Sequence, residues 1–391
     1  MNGFRQEEGN CKGGYVMKYR TFRKTGQDIS VLGFGTMRMP VLPDGNLDEA
    51  ASVKLIRKAI DLGINYVDTA YMYHRGLSET VVGKALKDGY REKVILADKM
   101  PVIIAKEEDD VKAIFENQFR RLDVDIIDFY LLHNVNIHTW KTVKKLNMLP
   151  FLERQRDKGR IRQIGFSFHD SLELFKEVID AYPWDFCQIQ LNYMDIKHQA
   201  GLEGLKYAAS KGIQVVVMEP LKGGKLTDIV PPTVAALWQV APIKRTPAEW
   251  AFRWVCDFPE VLTVLSGMHN QEQLVENVNI ADSCEANTLT AEEKGIIEKV
   301  AAEYNSLIKY SCTSCQYCMP CTVKLNIPLI IDFFNQWHLY GGNEKIKKDY
   351  RMWVGDKRKA STCIECGACE EHCPQQLPII KIMKEAAELF D

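Results

Sequence analysis

Eight short apolar runs rich in β-forming residues alternate with eight segments of helical periodicity between residues 29 and 281. The β-type runs are ISVLGFGT, INYVDTA, KVILADK, IIDFYLLH, IRQIGFSF, FCQIQLNY, IQVVVMEP and VLTVLSGM. The helical segments lie near 48–62, 78–88, 107–122, 150–159, 171–181, 199–211, 246–257 and 271–281. Asp48 and Ser78 are suitable N-caps for the first two. Eight β/α units over about 250 residues predict a (β/α)8 TIM barrel in the α/β class. A doubly wound sheet is the alternative, but the G-x-G-x-x-G fingerprint that follows its first strand is missing.

The flanks of the repeated units are patterned as well. Residues 19–34 carry Gly26 between two short β-type runs, which predicts a hairpin that closes the N-terminal mouth of the barrel. A further helix is expected near 290–304. At 391 residues the chain is long for one domain. The predicted divisions are a disordered extension over 1–17, a barrel over 18–285, a linking helix over 286–305 and a second domain over 306–391.

Composition limits the classes of partner. Hydrophobic residues make up 46% of the chain and the formal net charge is −2, so a large core is available and no strong field attracts nucleic acid or an anionic membrane. Neither a secretory signal nor a run of about 20 apolar residues is present. We expect a cytoplasmic protein that binds neither nucleic acid nor membrane.

Eight of the twelve cysteines lie in two runs of four near the C-terminus. They are Cys312, Cys315, Cys318 and Cys321, then Cys363, Cys366, Cys369 and Cys373. The second run reads C-x2-C-x2-C-x3-C-P, the bacterial pattern in which three close thiolates hold one 4Fe-4S cubane and the fourth ligates the other cluster. Two such clusters need eight thiolates. The pattern therefore predicts two 4Fe-4S clusters, for electron transfer or for structure.

Other uses of these cysteines fit less well. A structural zinc takes four ligands, usually as two separated pairs, and disulfides need an oxidising compartment. One irregularity concerns the first run, CTSCQYCMPC, which has two residues rather than three before its last cysteine and a proline in front of it. Cys321 is therefore a less secure ligand than Cys373.

The link between the two runs is about 40 residues long and contains IPLIIDFFNQWHLYGG. This length suits helices packed around clusters rather than the tight loops of a small β-type ferredoxin. We therefore predict a C-terminal α-helical ferredoxin-like domain that ends in the helical segment LPIIKIMKEAAELF. Phe333, Phe334, Trp337 and Trp353 are expected in its core, and Cys187, Cys256 and Cys284 as buried apolar residues elsewhere.

Four ionisable residues stand at or just beyond the ends of neighbouring predicted strands. Asp68 ends the second strand, Tyr73 follows it, Lys99 ends the third and His133 ends the fourth. Barrel active sites form at the C-terminal ends of the strands, so these side chains are expected to converge on one rim.

These residues carry a resemblance to a known family. The stretch DTAYMYHRGLSE (68–79), with the lysine of LADKMP and the histidine of FYLLHNV, resembles the aldo-keto reductase superfamily, whose catalytic tetrad is Asp, Tyr, Lys and His. Further similar pieces are GKALKDGYREKVILADK, KGRIRQIGFS, CQIQLNY, EPLKGGKL and QEQLVEN, and the resemblance extends from about 19 to 285. It implies a catalytic set of Asp68, Tyr73, Lys99 and His133.

The chemistry of the four groups is coherent. A phenol stays protonated at neutral pH, so Tyr73 could give a proton to a carbonyl oxygen. Lys99 beside it is expected to stabilise the phenolate and lower the pKa of Tyr73, and Asp68 to hold Lys99 in place. His133 would donate a hydrogen bond to the carbonyl oxygen.

The resemblance also implies a site for NADP(H) or NAD(H). The family holds nicotinamide with a Ser-Asn pair, a Gln and a stacking aromatic; Ser167 and Gln190 match, whereas Phe168 replaces the Asn and Met218 the aromatic. Glycine amides and an ammonium favour phosphate, which points to the loop after the seventh strand. The predicted phosphate-binding residues are Leu221, Gly223, Gly224 and Lys225, and those for adenosine are Gly267, Gln273, Glu276 and Asn277. No Arg or Lys occupies 267–277, so the choice between NADPH and NADH stays open.

We therefore predict an oxidoreductase that interconverts a small carbonyl and its alcohol. Residues 306–391 resemble the ferredoxin-type tail of one subgroup of bacterial and archaeal aldo-keto reductases. Nicotinamide moves two electrons and each cubane one, which leaves two alternatives open. In one, clusters relay electrons between a flavin or a redox protein partner and a barrel-bound substrate, although no flavin motif is evident. In the other, the chain is a non-catalytic redox subunit.

Overall fold

The computed structural model of the protein describes residues 17–227, 230–310, 312, 318–373 and 376–391. Cys315 and the extension predicted over 1–17, apart from Met17, lie outside these residues. The chain forms two compact units. Among the described residues, the first unit comprises 17–223 together with Thr246–Leu289, and the second comprises those of Gly224–Arg245 and Thr290–Asp391.

The first unit contains an antiparallel hairpin and a closed parallel barrel. The strands are β1 (Tyr19–Phe22), β2 (Gln27–Ser30), β3 (Leu32–Gly35), β4 (Tyr66–Asp68), β5 (Ile95–Met100), β6 (Ile127–Val135), β7 (Ile161–Phe168), β8 (Phe186–Gln190), β9 (Gln214–Met218) and β10 (Val261–Ser266). Strands β3 to β10 follow one another around the barrel, and β10 pairs with β3 to close it. The predicted (β/α)8 barrel is confirmed.

Fifteen α-helices are formed by the described residues. They are α1 (Glu49–Asp61), α2 (Ser78–Ala85), α3 (Glu108–Leu122), α4 (Ile137–Lys145), α5 (Met148–Asp157), α6 (Leu172–Asp180), α7 (Gly201–Ser210), α8 (Pro232–Gln239), α9 (Pro247–Cys256), α10 (Gln271–Asp282), α11 (Ala291–Leu307), α12 (Ile327–Leu339), α13 (Glu344–Val354), α14 (Ala368–Glu371) and α15 (Ile379–Phe390). All eight helices predicted between strands are present, whereas α4 and α8 were not predicted.

The two proposed N-caps have different outcomes. Asp48 caps α1, since its side chain accepts a hydrogen bond from the amide of Ala51. Ser78 is instead the first residue of α2, and its hydroxyl lies 2.8 Å from that of Thr36 and 2.9 Å from that of Thr69. The Ser78 prediction was wrong because this hydroxyl contacts side chains beside the neighbouring strands rather than the helix backbone.

The hairpin closes the N-terminal end of the barrel, as predicted. Phe22 of β1 and Ile29 of β2 are buried in one cluster with Tyr66, Ile95 and Phe186, which are the first residues of three barrel strands. These large side chains fill the barrel interior at this end. The opposite, C-terminal end is where the polar residues gather.

The domain boundaries differ from the prediction in one segment. Residues 224–245 were assigned to the barrel, but they cluster with the C-terminal part of the chain. The reason is that α8 packs against α11, the helix predicted as a linker, which also belongs to the second unit.

The second unit is helical, as predicted, with its own apolar core. Phe333 and Phe334 of α12 are buried, and so is Tyr350 of α13. Trp353 was also expected in this core, but 69% of its surface is exposed, since it stands at the end of α13 beside the buried Val354 rather than beneath another element. None of the helices that the described residues form is long and apolar enough to cross a membrane.

Candidate active site and cysteine cavity

The structure brings the four predicted tetrad residues to one rim of the barrel. Asp68 is the last residue of β4, Lys99 lies in β5 and His133 in β6, and these strands are hydrogen-bonded neighbours in parallel register. Tyr73 begins a short 3-10 segment, Tyr73–Gly76, five residues beyond Asp68. Parallel neighbours end at the same edge, so all four side chains gather at this rim and contact one another.

Lys99 and Asp68 form a buried ion pair. The Nζ atom of Lys99 lies 2.6 Å from Oδ1 of Asp68 and donates a second hydrogen bond of 2.7 Å to the carbonyl oxygen of Thr69. Burial acts to lower the pKa of Lys99, but the charges of Asp68 and its neighbours outweigh it and leave this pKa above its usual value. The lysine is therefore a fixed positive charge at neutral pH.

Tyr73 lies between Lys99 and His133. The Nζ atom of Lys99 is 5.1 Å from the centroid of the Tyr73 ring, and the Tyr73 and His133 rings meet edge to face with centroids 5.9 Å apart. Burial raises the pKa of Tyr73, and the charge and hydrogen bond of Lys99 only partly offset this. We expected Lys99 to leave this pKa below its usual value; burial reverses the balance, so the phenol is a protonated donor at neutral pH.

His133 is neutral under ordinary conditions. Burial, together with the positive charge of Lys99, lowers the pKa of its imidazole to about 3. A neutral imidazole carries one N–H donor. His133 can thus donate a hydrogen bond to an oxygen bound at this rim without bringing a second positive charge.

The predicted nicotinamide residues occupy the ends of β7 and β8. The hydroxyl of Ser167 accepts a hydrogen bond of 2.8 Å from the amide of Asn134. Phe168 is fully buried and packs against Phe175 of α6, so it cannot replace the missing Asn functionally. The next residue, His169, is only partly buried, and burial lowers the pKa of its imidazole to about 4, with Gln199 opposing.

Gln190 belongs to a polar cluster around Asp195, which the sequence did not reveal. Gln190 Nε2 and Asn192 Nδ2 donate to Oδ2 of Asp195 at 3.0 and 3.1 Å. Lys222 Nζ contacts both carboxylate oxygens, at 2.5 and 2.6 Å. Burial alone would raise the pKa of Asp195, but Lys222 and Asn192 outweigh it and lower that pKa. Asp195 is therefore ionised beside the predicted nicotinamide contacts.

The predicted phosphate loop is divided between the two units. Leu221 and Gly223 belong to the first unit, whereas Gly224 and Lys225 belong to the second, where Lys225 pairs with Asp332. The lysine that the structure places among the barrel residues is Lys222. Only the K-G-G-K pattern of the loop hinted at it.

Arg38 is a further residue that sequence reasoning missed. Its side chain lies directly over Gly267, so that a β-carbon there would meet it at 3.0 Å, and its guanidinium approaches Gly223 in the same way at 2.8 Å. It also stands 3.8 Å from Glu219. A cation therefore spans the predicted phosphate loop and the predicted adenosine stretch, although none lies within 267–277 itself.

The predicted adenosine residues lie around the start of α10. The side chain of Gln273 accepts a hydrogen bond from the amide of His269, and Glu276 accepts one from Thr246. The third polar residue, Asn277, is buried and donates to Ser266, the last residue of β10. These bonds fix the loop that contains Gly267.

The cysteines of the second unit surround a cavity. Cys318 and Cys321 from the first run, with Cys363, Cys366 and Cys369 from the second, line a volume of about 230 Å³. Cys312 and Cys373 pack beside the apolar core of the same unit. Among the described residues, no three His, Cys, Asp or Glu side chains are placed to hold a single metal ion. A cavity with thiols from both runs fits a cubane, whose ligands are thiolates.

A family model decides the classification. The model described as "Aldo/keto reductase family" matches residues 31–302, which is more than half of the chain. The chain belongs to the aldo-keto reductase family. It is therefore an oxidoreductase, and its barrel is that of the family.

Individual aldo-keto reductases resemble the barrel part of this one. The L-galactose dehydrogenase of Arabidopsis thaliana is 26% identical over 312 residues, which cover 74% of this chain and 96% of that protein. The NADH-specific methylglyoxal reductase of Escherichia coli is 27% identical over 299 residues, covering 64% and 89%. The holo form of an aldo-keto reductase from Bacillus halodurans superposes with a TM-score of 0.61 and 28% identity, covering 73% and 96%.

A second model accounts for the cysteines of this aldo-keto reductase. The model described as "4Fe-4S dicluster domain" matches residues 311–378, which contain both cysteine runs. The protein therefore carries a 4Fe-4S dicluster domain after its barrel. This match favours iron-sulfur ligation over a zinc site as the role of these cysteines.

A buried polar network holds the backbone at Lys99. The sequence did not reveal it. The Lys99 amide donates to Oδ1 of Asp98 at 2.8 Å, while the Gln118 amide bridges Oδ2 of Asp98 and Oε1 of Glu79 at 2.7 and 3.1 Å. Burial and the nearby Glu79 carboxylate raise the pKa of Asp98 well above its usual value. The network fixes the backbone of β5 at the residue that carries the Lys99 side chain.

Acidification from pH 7 to pH 5.5 is expected to weaken the fold through His133. The folded imidazole stays neutral because its pKa is about 3, whereas in the unfolded chain it takes up a proton near 6.5. The unfolded state is thereby favoured by about 1 kcal/mol over this interval. Urea denaturation at both pH values measures the effect: a His133→Gln variant should lose about 1 kcal/mol less free energy of unfolding than the wild type. Equal losses would contradict the neutral state of His133 in the folded protein.

Proposed function

We propose that this aldo-keto reductase uses NAD(P)H to interconvert a carbonyl and its alcohol, with Tyr73 as general acid and base. The observation that carries the proposal is the position of a protonated Tyr73 between the charged Lys99 and the neutral His133. The activities after which two relatives are named, L-galactose dehydrogenase and methylglyoxal reductase, are of this class.

Each tetrad residue has a separate task. In reduction, the Tyr73 hydroxyl donates its proton to the carbonyl oxygen. Lys99 stabilises the phenolate that remains, and Asp68 keeps Lys99 charged and oriented. The His133 N–H donates a hydrogen bond to the same oxygen, which orients the carbonyl and stabilises its growing negative charge. In alcohol oxidation the Tyr73 phenolate accepts the proton.

The cofactor is held by residues around the same rim. Ser167 and Gln190 would contact the carboxamide, while Arg38 and Lys222 would attract the phosphates, since both are cations beside the glycine-containing loop. The nicotinamide supplies a hydride to the carbonyl carbon when it is bound. NADH and NADPH are both proposed as donors, because Arg38 lies near the adenosine stretch but no cation lies within it.

In a second candidate function, the two proposed 4Fe-4S clusters carry the electrons that the reaction uses. Two departures around the nicotinamide site favour it: Phe168 is buried away from the site, and Met218 stands where the family has an aromatic. In this alternative, a flavin or a redox protein partner would supply two electrons, one at a time, through the dicluster domain, and the barrel-bound carbonyl would take up two protons that come from solvent. The two functions differ in the origin of the hydrogen that reaches the carbonyl carbon.

Deuterium tracing separates the two functions. Anaerobically purified holoenzyme is incubated with methylglyoxal and with NADH or NADPH deuterated at both C4 positions. Under the proposed function the alcohol carries deuterium on its former carbonyl carbon, because the hydride moves directly. Mass spectrometry and proton NMR of the product measure the position of the label.

The matched control uses protiated cofactor in deuterated water. Here the carbonyl carbon should carry protium, and only the exchangeable hydroxyl should carry deuterium. A product whose carbon hydrogen follows the solvent in both experiments would overturn direct transfer and favour the cluster route. Oxidation of neither cofactor with methylglyoxal or a panel of small aldehydes and ketones would overturn the proposed activity itself.

A further inference from the structure

Helix α13 and the chain beyond it form an exposed basic surface. Residues 344–359 contain seven Lys and Arg against three Asp and Glu, whereas the rest of 290–391 contains six against eleven. Within 290–391, basic charge is therefore concentrated in residues 344–359. We call the exposed part of residues 345–366 the α13 surface.

The outer face of α13 mixes this charge with large apolar side chains. Ile346, Tyr350 and Val354 form its buried face. Lys345, Lys348 and Met352 follow a three- and four-residue spacing on the opposite face. Exposure reaches 65% at Met352, 69% at Trp353 and 57% at Ile364.

The basic charges of this surface are available. Among the residues that the structure describes, no carboxylate pairs with Lys345, Lys348, Arg351 or the basic stretch 357–359. Exposed aromatic and Met side chains are typical of a protein interface. The unpaired cations around them favour a partner of the opposite charge.

The surface is joined to the cysteine cavity. The Ala360 amide donates to the Tyr350 hydroxyl at 2.8 Å, and that hydroxyl donates to Asp391 at 2.9 Å. These bonds fasten the segment before Cys363 to α13. Ile364 and Cys366 are exposed and also line the cavity. The α13 surface thus reaches the point where the cavity meets solvent.

We propose that the α13 surface docks a small acidic protein that carries single electrons, of the ferredoxin type. Positive charge attracts and orients such a partner, and Met352 and Trp353 would be buried at the contact. The thiols that line the cavity beside Ile364 and Cys366 would hold the accepting cluster, which would take one electron from the reduced iron of the partner with no proton transfer and no bond broken. The inference rests on the proposed clusters but not on the chemistry of Tyr73.

Charge reversal and apolar truncation test the docking separately. The holoenzyme is compared with a Lys345→Glu/Lys348→Glu variant and a Met352→Ser/Trp353→Ser variant. The probe is a plant-type [2Fe-2S] ferredoxin, an acidic protein. Calorimetry measures its affinity in the oxidised state, and stopped-flow absorbance measures cluster reduction by its reduced state. Both variants should lose at least tenfold in affinity, and added salt should slow reduction of the wild type.

The matched control is a Lys54→Glu/Lys299→Glu variant, which reverses two exposed lysines elsewhere. It should bind and accept electrons like the wild type, and all variants should be reduced equally by dithionite, which needs no docking. Equal ferredoxin affinity in all four proteins would overturn the proposal. So would a variant effect confined to self-association in sedimentation, or to binding of phosphatidylserine vesicles. If dithionite reduces no cluster in any of the proteins, the proposed clusters are refuted as well. If dithionite reduces them but ferredoxin neither binds nor reduces them, only the docking is refuted.

Discussion

A Tyr73→Phe variant is expected to lose about a thousandfold in kcat for carbonyl reduction, within the usual range for removal of a general acid. The variant removes the only proton that this side chain can give, while the ring keeps its place beside Lys99 and His133. Because no contact with NAD(P)H is assigned to the hydroxyl, the affinity for the cofactor should stay within a factor of about two. Steady-state rates with methylglyoxal and fluorescence titration with NADPH and NADH measure the two quantities.

Tyr71→Phe is the matched control for this variant. Tyr71 lies two residues earlier in the same loop, and its ring packs under the Arg121 guanidinium at 4.2 Å, so the control removes a hydroxyl without touching the tetrad. It should retain nearly full activity. If Tyr73→Phe kept the wild-type rate, another group would have to supply the proton, and the assigned role of Tyr73 would be refuted. Measured cluster content should be the same in both variants, because the changes lie in the barrel unit.

The barrel and the convergence of ionisable residues on one rim could be predicted because they follow from local patterns, whereas the catalytic set was implied by the family resemblance. Alternating β-type runs and helical segments identify the strands, and the strand ends then locate Asp68, Lys99 and His133 without knowledge of any contact. The pKa of Tyr73 could not be predicted in the same way. Its direction depends on how completely the phenol is buried against how near Lys99 lies, and the sequence specifies neither quantity.

The rest of the candidate site depends on pairing between distant segments. Asp195 and Lys222 are 27 residues apart, and Arg38 reaches glycines beyond residue 220. Nothing in the periodicity around these residues indicates such partners, because each is an ordinary charged residue outside the α-helices and β-strands. The sequence shows that Phe168 stands where the family has Asn. Only its packing against Phe175 shows that the side chain points away from the predicted nicotinamide site.

Trp353 shows a different limit of sequence reasoning. Helical spacing places it near the buried face of α13, three residues after Tyr350, and its size favours burial. The helix ends one residue later at Val354, so the side chain projects beyond the packed part of the element. An end effect of this kind changes a core residue into the most exposed aromatic of the proposed docking surface.

A Cys321→Ala variant is expected to lose the cluster bound by the second cysteine run and to keep the other one. The structure places Cys321 with Cys363, Cys366 and Cys369 around one cavity, which supplies four thiolates despite the irregular spacing of the first run. Such an exchange of the last cysteine between runs is the rule in two-cluster ferredoxins. Iron and acid-labile sulfide should fall from about eight to about four per chain, as measured after anaerobic reconstitution.

Cys373→Ala is the reciprocal variant, since Cys373 ends the second run but does not line this cavity. It should lose the opposite cluster, so the two variants would share an iron content yet differ in the EPR spectrum of the dithionite-reduced protein. Comparing the two variants thus shows which cluster is lost, which the iron content of one variant alone would not show. If Cys321→Ala kept all its iron while Cys318→Ala lost the cluster of the second run, the ligand would be Cys318, which also borders the cavity. The third cysteine of the first run, rather than its last, would then complete the cluster of the second run.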